Sequence, residues 1–136
     1  MSSDAVFTLV RDHLTAEWAG APVVWPNEGL EVGDSSAPWI YAEISGTDMA
    51  AMEIGGNPVF LETGIIWMHI HCPVGTGTLE IRAIAKQLSN LFRLARLPGI
   101  TFRRQSIGGG EAGDDDGLYW RISLTIEYEY QDVFVE

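Results

Sequence analysis

The sequence predicts an α+β fold: two layers, with two helices on one face of a mostly antiparallel or mixed β-sheet. Three observations predict it. Two stretches, near either end of residues 4–94, place apolar side chains at helical spacing. The stretch 118–130 alternates apolar and polar residues without a break, as a strand with one buried face does. Neighbouring strands are joined by loops and not by crossover helices, which favours antiparallel pairing. At 136 residues the chain has room for one domain, taken as 1–136.

The elements follow in order. Ser2 or Ser3 can cap a first helix with Asp4 in its first turn, where the helix dipole favours an anion. Val6, Phe7, Val10, Leu14 and Trp18 fall within roughly 120° of one another at 100° per residue, and Gly20 ends the run. Val23-Val24-Trp25 reads as a short strand stopped by Pro26. Residues 26–37 are turn-formers and acids, hence a loop. From Trp39 to Ser45, Ile40, Ala42 and Ile44 share one face while Trp39, Tyr41 and Glu43 share the other. Residues 46–58 read as a long loop. From Val59 to Cys72, Ile66, Met68, Ile70 and Cys72 face one way and Ile65, Trp67, His69 and His71 the other, as in a central strand or one that meets a partner.

Pro73 and Gly75 break that strand. Thr76 or Thr78 can cap a second helix running to about Leu94, with Ile81, Ile84, Ala85, Leu88, Leu91, Phe92 and Ala95 on its apolar arc. Pro98-Gly99 closes it. Strands at Ile100–Ile107 and Leu118–Tyr130 flank a Gly/Asp loop. The whole order is α-β-β-β-α-β-β. Leu118, Trp120, Ile122, Leu124 and Ile126 are expected in the core, against Val10, Leu14, Ile84 and Leu88.

Composition excludes several functions. The chain is 46 % apolar with a mean hydropathy of +0.07, enough for a buried core. Eight Lys+Arg against 19 Asp+Glu give a net charge of −11, which argues against gripping DNA phosphates or anionic membranes. Cys72 stands alone, so no internal disulfide forms and a reducing compartment is the default. No apolar run reaches membrane-spanning length, and Met1-Ser2-Ser3-Asp4 lacks the basic start of a signal peptide.

Few residues suggest chemistry. His69 and His71, two apart on a strand, point the same way and could share a metal ion. Cys72 points the opposite way, and the plainer reading is two imidazoles on a sheet face beside Trp67 or a partner. The run 108–117 is calcium-like in composition but lacks EF-hand spacing, and reads as a hydrated hairpin tip. Gly75-Thr76-Gly77-Thr78 lacks the lysine of a phosphate-binding loop and reads as a strand-to-helix turn. No catalytic, cofactor or metal set is expected, so an enzyme is the weaker class.

Charge is unevenly placed. Six of the eight cations lie between Arg82 and Arg104, with eleven acids before that stretch and eight after it. Arg82, Lys86, Arg93 and Arg96 share one arc of the second helix. This is a solvated helix face, or else a cationic surface that meets an acidic surface of the next copy.

Several segments resemble a known family: Pro38-Trp39-Ile40-Tyr41-Ala42-Glu43-Ile44, the Gly-bearing Ile54-Gly55-Gly56, and the strand opening Thr63-Gly64-Ile65-Ile66-Trp67. The helix entry Pro73-Val74-Gly75-Thr76-Gly77, the helix end Leu91-Phe92-Arg93 and the tip Asp116-Gly117-Leu118-Tyr119-Trp120 follow. In this order the chain resembles the tail terminator proteins of long flexible-tailed phages and phage-like gene transfer agents. The resemblance implies a structural protein with no cofactor, in the tail of a virion or virus-like particle assembled in the bacterial cytoplasm. It implies a hexameric ring on the head-proximal end of a tail tube, which stops tube polymerisation and offers a head-joining surface. The partners would be further copies, the major tail tube protein and the head–tail connector. DNA would pass through the lumen without specific binding. The expected contacts with ring or tube are Met49, Met52, Ile54, Trp39, Trp67, Arg82, Lys86 and Arg93, and the expected lumen acids are Asp114, Asp115 and Asp116. The alternatives are a connector subunit, or a metal- or ligand-binding domain using His69 and His71.

Overall fold

The computed structural model describes residues 4–27, 37–51, 59–75, 77–112 and 119–133. Helix α1 spans Asp4–Glu17 and α2 spans Leu79–Arg93; the strands are β1 (Val23–Val24), β2 (Trp39–Ala51), β3 (Val59–Pro73), β4 (Ile100–Ile107), β5 (Glu111–Ala112) and β6 (Tyr119–Val133). Among the described residues the six strands form one mixed sheet in the order β1-β2-β3-β6-β4, with β5 also paired to β6. Among these described pairs β1–β2 is parallel and the others are antiparallel.

Both helices lie on one face, because each carries a single apolar stripe that needs a sheet to cover. Val6, Val10 and Leu14 of α1 and Ile81, Ala85, Leu88 and Phe92 of α2 are buried against Ile40, Ala42, Ile66, Met68, Ile70, Cys72, Ile122, Leu124, Ile126 and Tyr128. Ile84 is only partly buried at the margin of this cluster. His13 Nε2 donates to the Leu91 carbonyl oxygen (3.0 Å) and its ring meets Phe92 edge-on, which ties the helices together. The buried Cys72 thiol donates weakly to the Gly77 carbonyl (3.5 Å).

Four expectations change. Residues 46–51 are strand, not loop: Asp48–Ala51 pair with Thr63–Phe60 after a register shift at Gly46. The long β3 supplies ladder partners there, which outweighs the turn-forming look of Gly-Thr-Asp. Trp120 shares the parity of the core residues yet is 36 % exposed, because its ring covers Gly110 instead of a helix. Glu111–Ala112, expected within a loop, pair with Arg121 and Trp120. Of the two cap candidates for α2, Thr78 makes no side-chain cap bond and its hydroxyl instead accepts from Arg82 Nε (3.1 Å), while Thr76 lies outside the described residues. Leu118 lies outside the described residues.

Candidate functional site

The face of the sheet away from the helices carries aromatic and titratable side chains. Pairing sets Trp39 opposite His71, and His71 opposite Arg121, so the three form one row across β2, β3 and β6. Trp39 stacks on His71 with ring centres 4.0 Å apart and planes 6° from parallel, and Tyr119 meets both rings edge-on. Burial first, then the charges of Arg121 and His69, push the His71 pKa down to about 4, so the imidazole is neutral at neutral pH. Among the described residues, Trp39 Nε1, His71 Nδ1 and Arg121 Nε are buried with no hydrogen-bond partner. The outer nitrogen Nη2 of Arg121 donates to Glu111 on β5 (2.7 Å).

The next row is fully wired. His69 Nε2 lies 3.0 Å from Glu43 Oε1 and its Nδ1 lies 2.7 Å from Ser123 Oγ. In the neutral tautomer Nε2–H donates to the carboxylate while Nδ1 accepts from the hydroxyl. Trp67 and Tyr41 flank His69 with nearly parallel rings. Both His69 nitrogens are therefore engaged, and among the described residues no three His, Cys, Asp or Glu side chains gather as metal ligands. The rings of Trp39, Tyr41 and Trp67 are already covered in part by the two histidines.

The cations gather elsewhere. Lys86 and Arg93 of α2 stand with Arg103 of β4 around a hollow of about 450 Å³ floored by Phe102 and Ile107. Ser89, buried between them, donates its hydroxyl to Gln105 Oε1, and Gln105 Nε2 donates back to the Ser89 carbonyl (3.3 Å). A β-bulge between Phe102 and Gln105 gives β4 an extra residue here, and Arg103 and Arg104 occupy it. Arg103 is paired with Glu129 at 3.0 Å. Arg82 is exposed on α2, held by Thr78.

The expected contact residues thus fall on three separate surfaces. Trp39 and Trp67 lie on the open sheet face, Arg82, Lys86 and Arg93 on the α2 side, and Met49, half exposed, on the β2–β3 arm beyond the register shift. Met52, Ile54, Asp114, Asp115 and Asp116 lie outside the described residues. Sequence reasoning missed Arg121 and Tyr119 as members of the open-face cluster. Their positions on the polar side of β6 are plain in the alternation, but only cross-strand register brings them to His71.

A family model described as phage tail terminator protein matches residues 5–128. The chain belongs to the phage tail terminator family. Membership makes it a structural protein of the tail in a phage-type particle. One solved chain superposes with a TM-score of 0.69 at 20 % identity, covering 100 % of this chain and 99 % of its own length. A chain from the virion of a native gene transfer agent particle gives a TM-score of 0.60 at 16 % identity, covering 96 % of this chain and 100 % of that one. At such identities these likenesses speak for the fold alone. No curated protein matches the sequence. Among the described residues no helix is long and apolar enough to cross a membrane.

Proposed function

We propose that this protein assembles as a six-membered ring on the head-proximal end of a tail tube, ends tube polymerisation there and presents the surface that the head connector joins. The observation that carries this reading is the terminator family match over residues 5–128. The likeness to a chain of a gene transfer agent virion supports the same setting. Physical features fit a passive collar. Six copies at −11 would carry −66, a charge that repels DNA phosphates from the walls of a conduit. The role needs geometry and charge, and no catalytic group.

The β2–β3 arm is the tube contact in this reading. It carries Met49 on its paired part, and Met52 and Ile54 follow at once in the chain. Methionine side chains adapt their shape, which suits a surface that must fit both a tube subunit and a neighbouring ring subunit. Trp39 and Trp67 belong to protomer packing. The deciding experiment polymerises the tube protein with and without this chain and measures tube lengths by electron microscopy. Wild type should give tubes capped at one end and of limited length. A Met49→Asp, Met52→Asp, Ile54→Asp variant should fold and leave tubes uncapped; tubes of uncontrolled length with wild type present would refute the terminator reading.

A further inference from the structure

We propose that the seam between α2 and β4 is one half of a head-to-tail contact, and that its occupant is the acidic surface of a second copy of this chain. The proposal rests on the ring reading above and says which surface builds the ring.

Charge argues first. Residues 82–104 contain six cations and no Asp or Glu, leaving −17 for the rest of a chain whose total is −11. Among the described residues, Arg82, Lys86, Arg93, Arg96 and Arg104 have no carboxylate partner; of the six, only Arg103 has one. A two-fold contact with its axis through this cationic seam would lay it against its own copy and repel. A head-to-tail contact lays it against one of the acidic surfaces that make up the remainder. Contacts of that kind close into rings or run on as fibres.

The shape of the seam argues second. Strand β4 ends the sheet, so one of its backbone edges has no strand beside it among the described residues. Beside that edge lie two adjoining hollows of about 450 and 370 Å³ that share Arg93 and Phe102. Their floor is apolar (Phe92, Leu97, Ile100, Phe102, Ile107) and Lys86, Arg93, Arg96 and Arg103 stand around them. Ile107 is 41 % exposed and Leu94, just past α2, is 81 % exposed. An apolar centre inside a charged rim is the anatomy of a protein–protein contact. Cations placed only to keep an edge strand solitary would need no such floor.

The experiment compares wild type, a Lys86→Glu, Arg93→Glu double variant and an Arg11→Glu control by sedimentation of the full chain, with circular dichroism to show that each is folded. Arg11 is a cation of α1, away from the seam. The double variant should raise the concentration for half-assembly at least about tenfold, since like charges set face to face are costly. Added salt should weaken wild-type assembly and narrow that gap. The control should assemble as wild type does. Mixed with wild type, the double variant should poison rings beyond simple dilution, because its acidic half still docks. Wild-type rings matched by undiminished rings of the double variant would overturn the seam and leave the ring reading standing. A wild type that stays monomeric under cross-linking at high concentration, both free and with tail tubes added, would overturn both.

Discussion

Gly64 sits where two strands and a phenol crowd together. A methyl group there would stand 2.6 Å from the Ser45 carbonyl oxygen and 2.6 Å from the Tyr128 hydroxyl. Neither neighbour is free to give, because Ser45 is laddered to β3 and Tyr128 is buried, donating to Glu62 at 2.6 Å. Gly64→Ala should therefore destabilise by about 1–3 kcal/mol, read from urea unfolding midpoints at unchanged slope. Tyr128→Phe removes one donor from the buried Glu62 and should cost a similar amount, about 1–3 kcal/mol. Burial and Glu62 raise the Tyr128 pKa, and burial with nearby acids raises that of Tyr130. Both phenols ionise more readily once unfolded, so stability should fall as pH rises past about 10. His71 works at the other end. Its folded pKa of about 4 lies below the ordinary 6.5, so the unfolded chain binds its proton first. The stability this contributes is complete above pH 6.5 and is lost between there and pH 4, on the order of 3 kcal/mol. His71→Phe keeps a ring against Trp39, removes an unpartnered nitrogen and should flatten that acid limb at little cost at pH 7. A pH–stability curve of unchanged steepness in the variant would place the titration elsewhere.

At the scale of elements, the burial of β6 is set by its alternation. Ile122 and Leu124 are fully buried among helix and sheet side chains, and Ile122→Ala or Leu124→Ala should each cost about 2–5 kcal/mol in thermal or chemical unfolding. This strand was legible because a period of two over thirteen residues leaves one consistent face. So were both helices and β4, whose Ile100–Ile107 span agrees residue for residue. What sequence could not carry was anything decided by a partner far along the chain. Gly46-Thr47-Asp48 has the composition of a turn, and only the length of β3 turns it into a bulged strand. Trp120 has core parity, but burial also needs a helix above it, and Gly110 lies there instead. The same reason hid the open-face cluster. His69 and His71 were visible as a same-face pair. Their opposite fates, one doubly hydrogen-bonded and one stacked and neutral, follow from Glu43, Ser123, Trp39 and Arg121 on neighbouring strands.

At the scale of the whole molecule the ring reading puts a chain of this charge around passing DNA, and that can be tested. Asp114, Asp115 and Asp116 are its densest run of acids and stand among glycines. They lie between β5 and β6, whose pairing of Ala112 with Trp120 anchors both ends of the segment. A glycine-rich run offers few side chains to pack and costs conformational entropy to order, so charge is the better account of these residues. In a six-membered ring whose tips reach the lumen, the three acids would repeat as eighteen carboxylates. Their repulsion is screened beyond roughly 8–10 Å at physiological salt, so it acts only on a duplex passing close by. The Asp114→Lys, Asp115→Lys, Asp116→Lys variant should therefore fold and cap tails, and particles built with it should eject DNA slowly or stall, because cations there bind phosphates. Particle yield and DNA transfer are measured side by side. Normal yield with normal transfer would set this tip on the outer rim and leave the lining to acids such as Glu28, Glu31 and Asp34. Loss of tails altogether would make the tip a contact surface and overturn the electrostatic account.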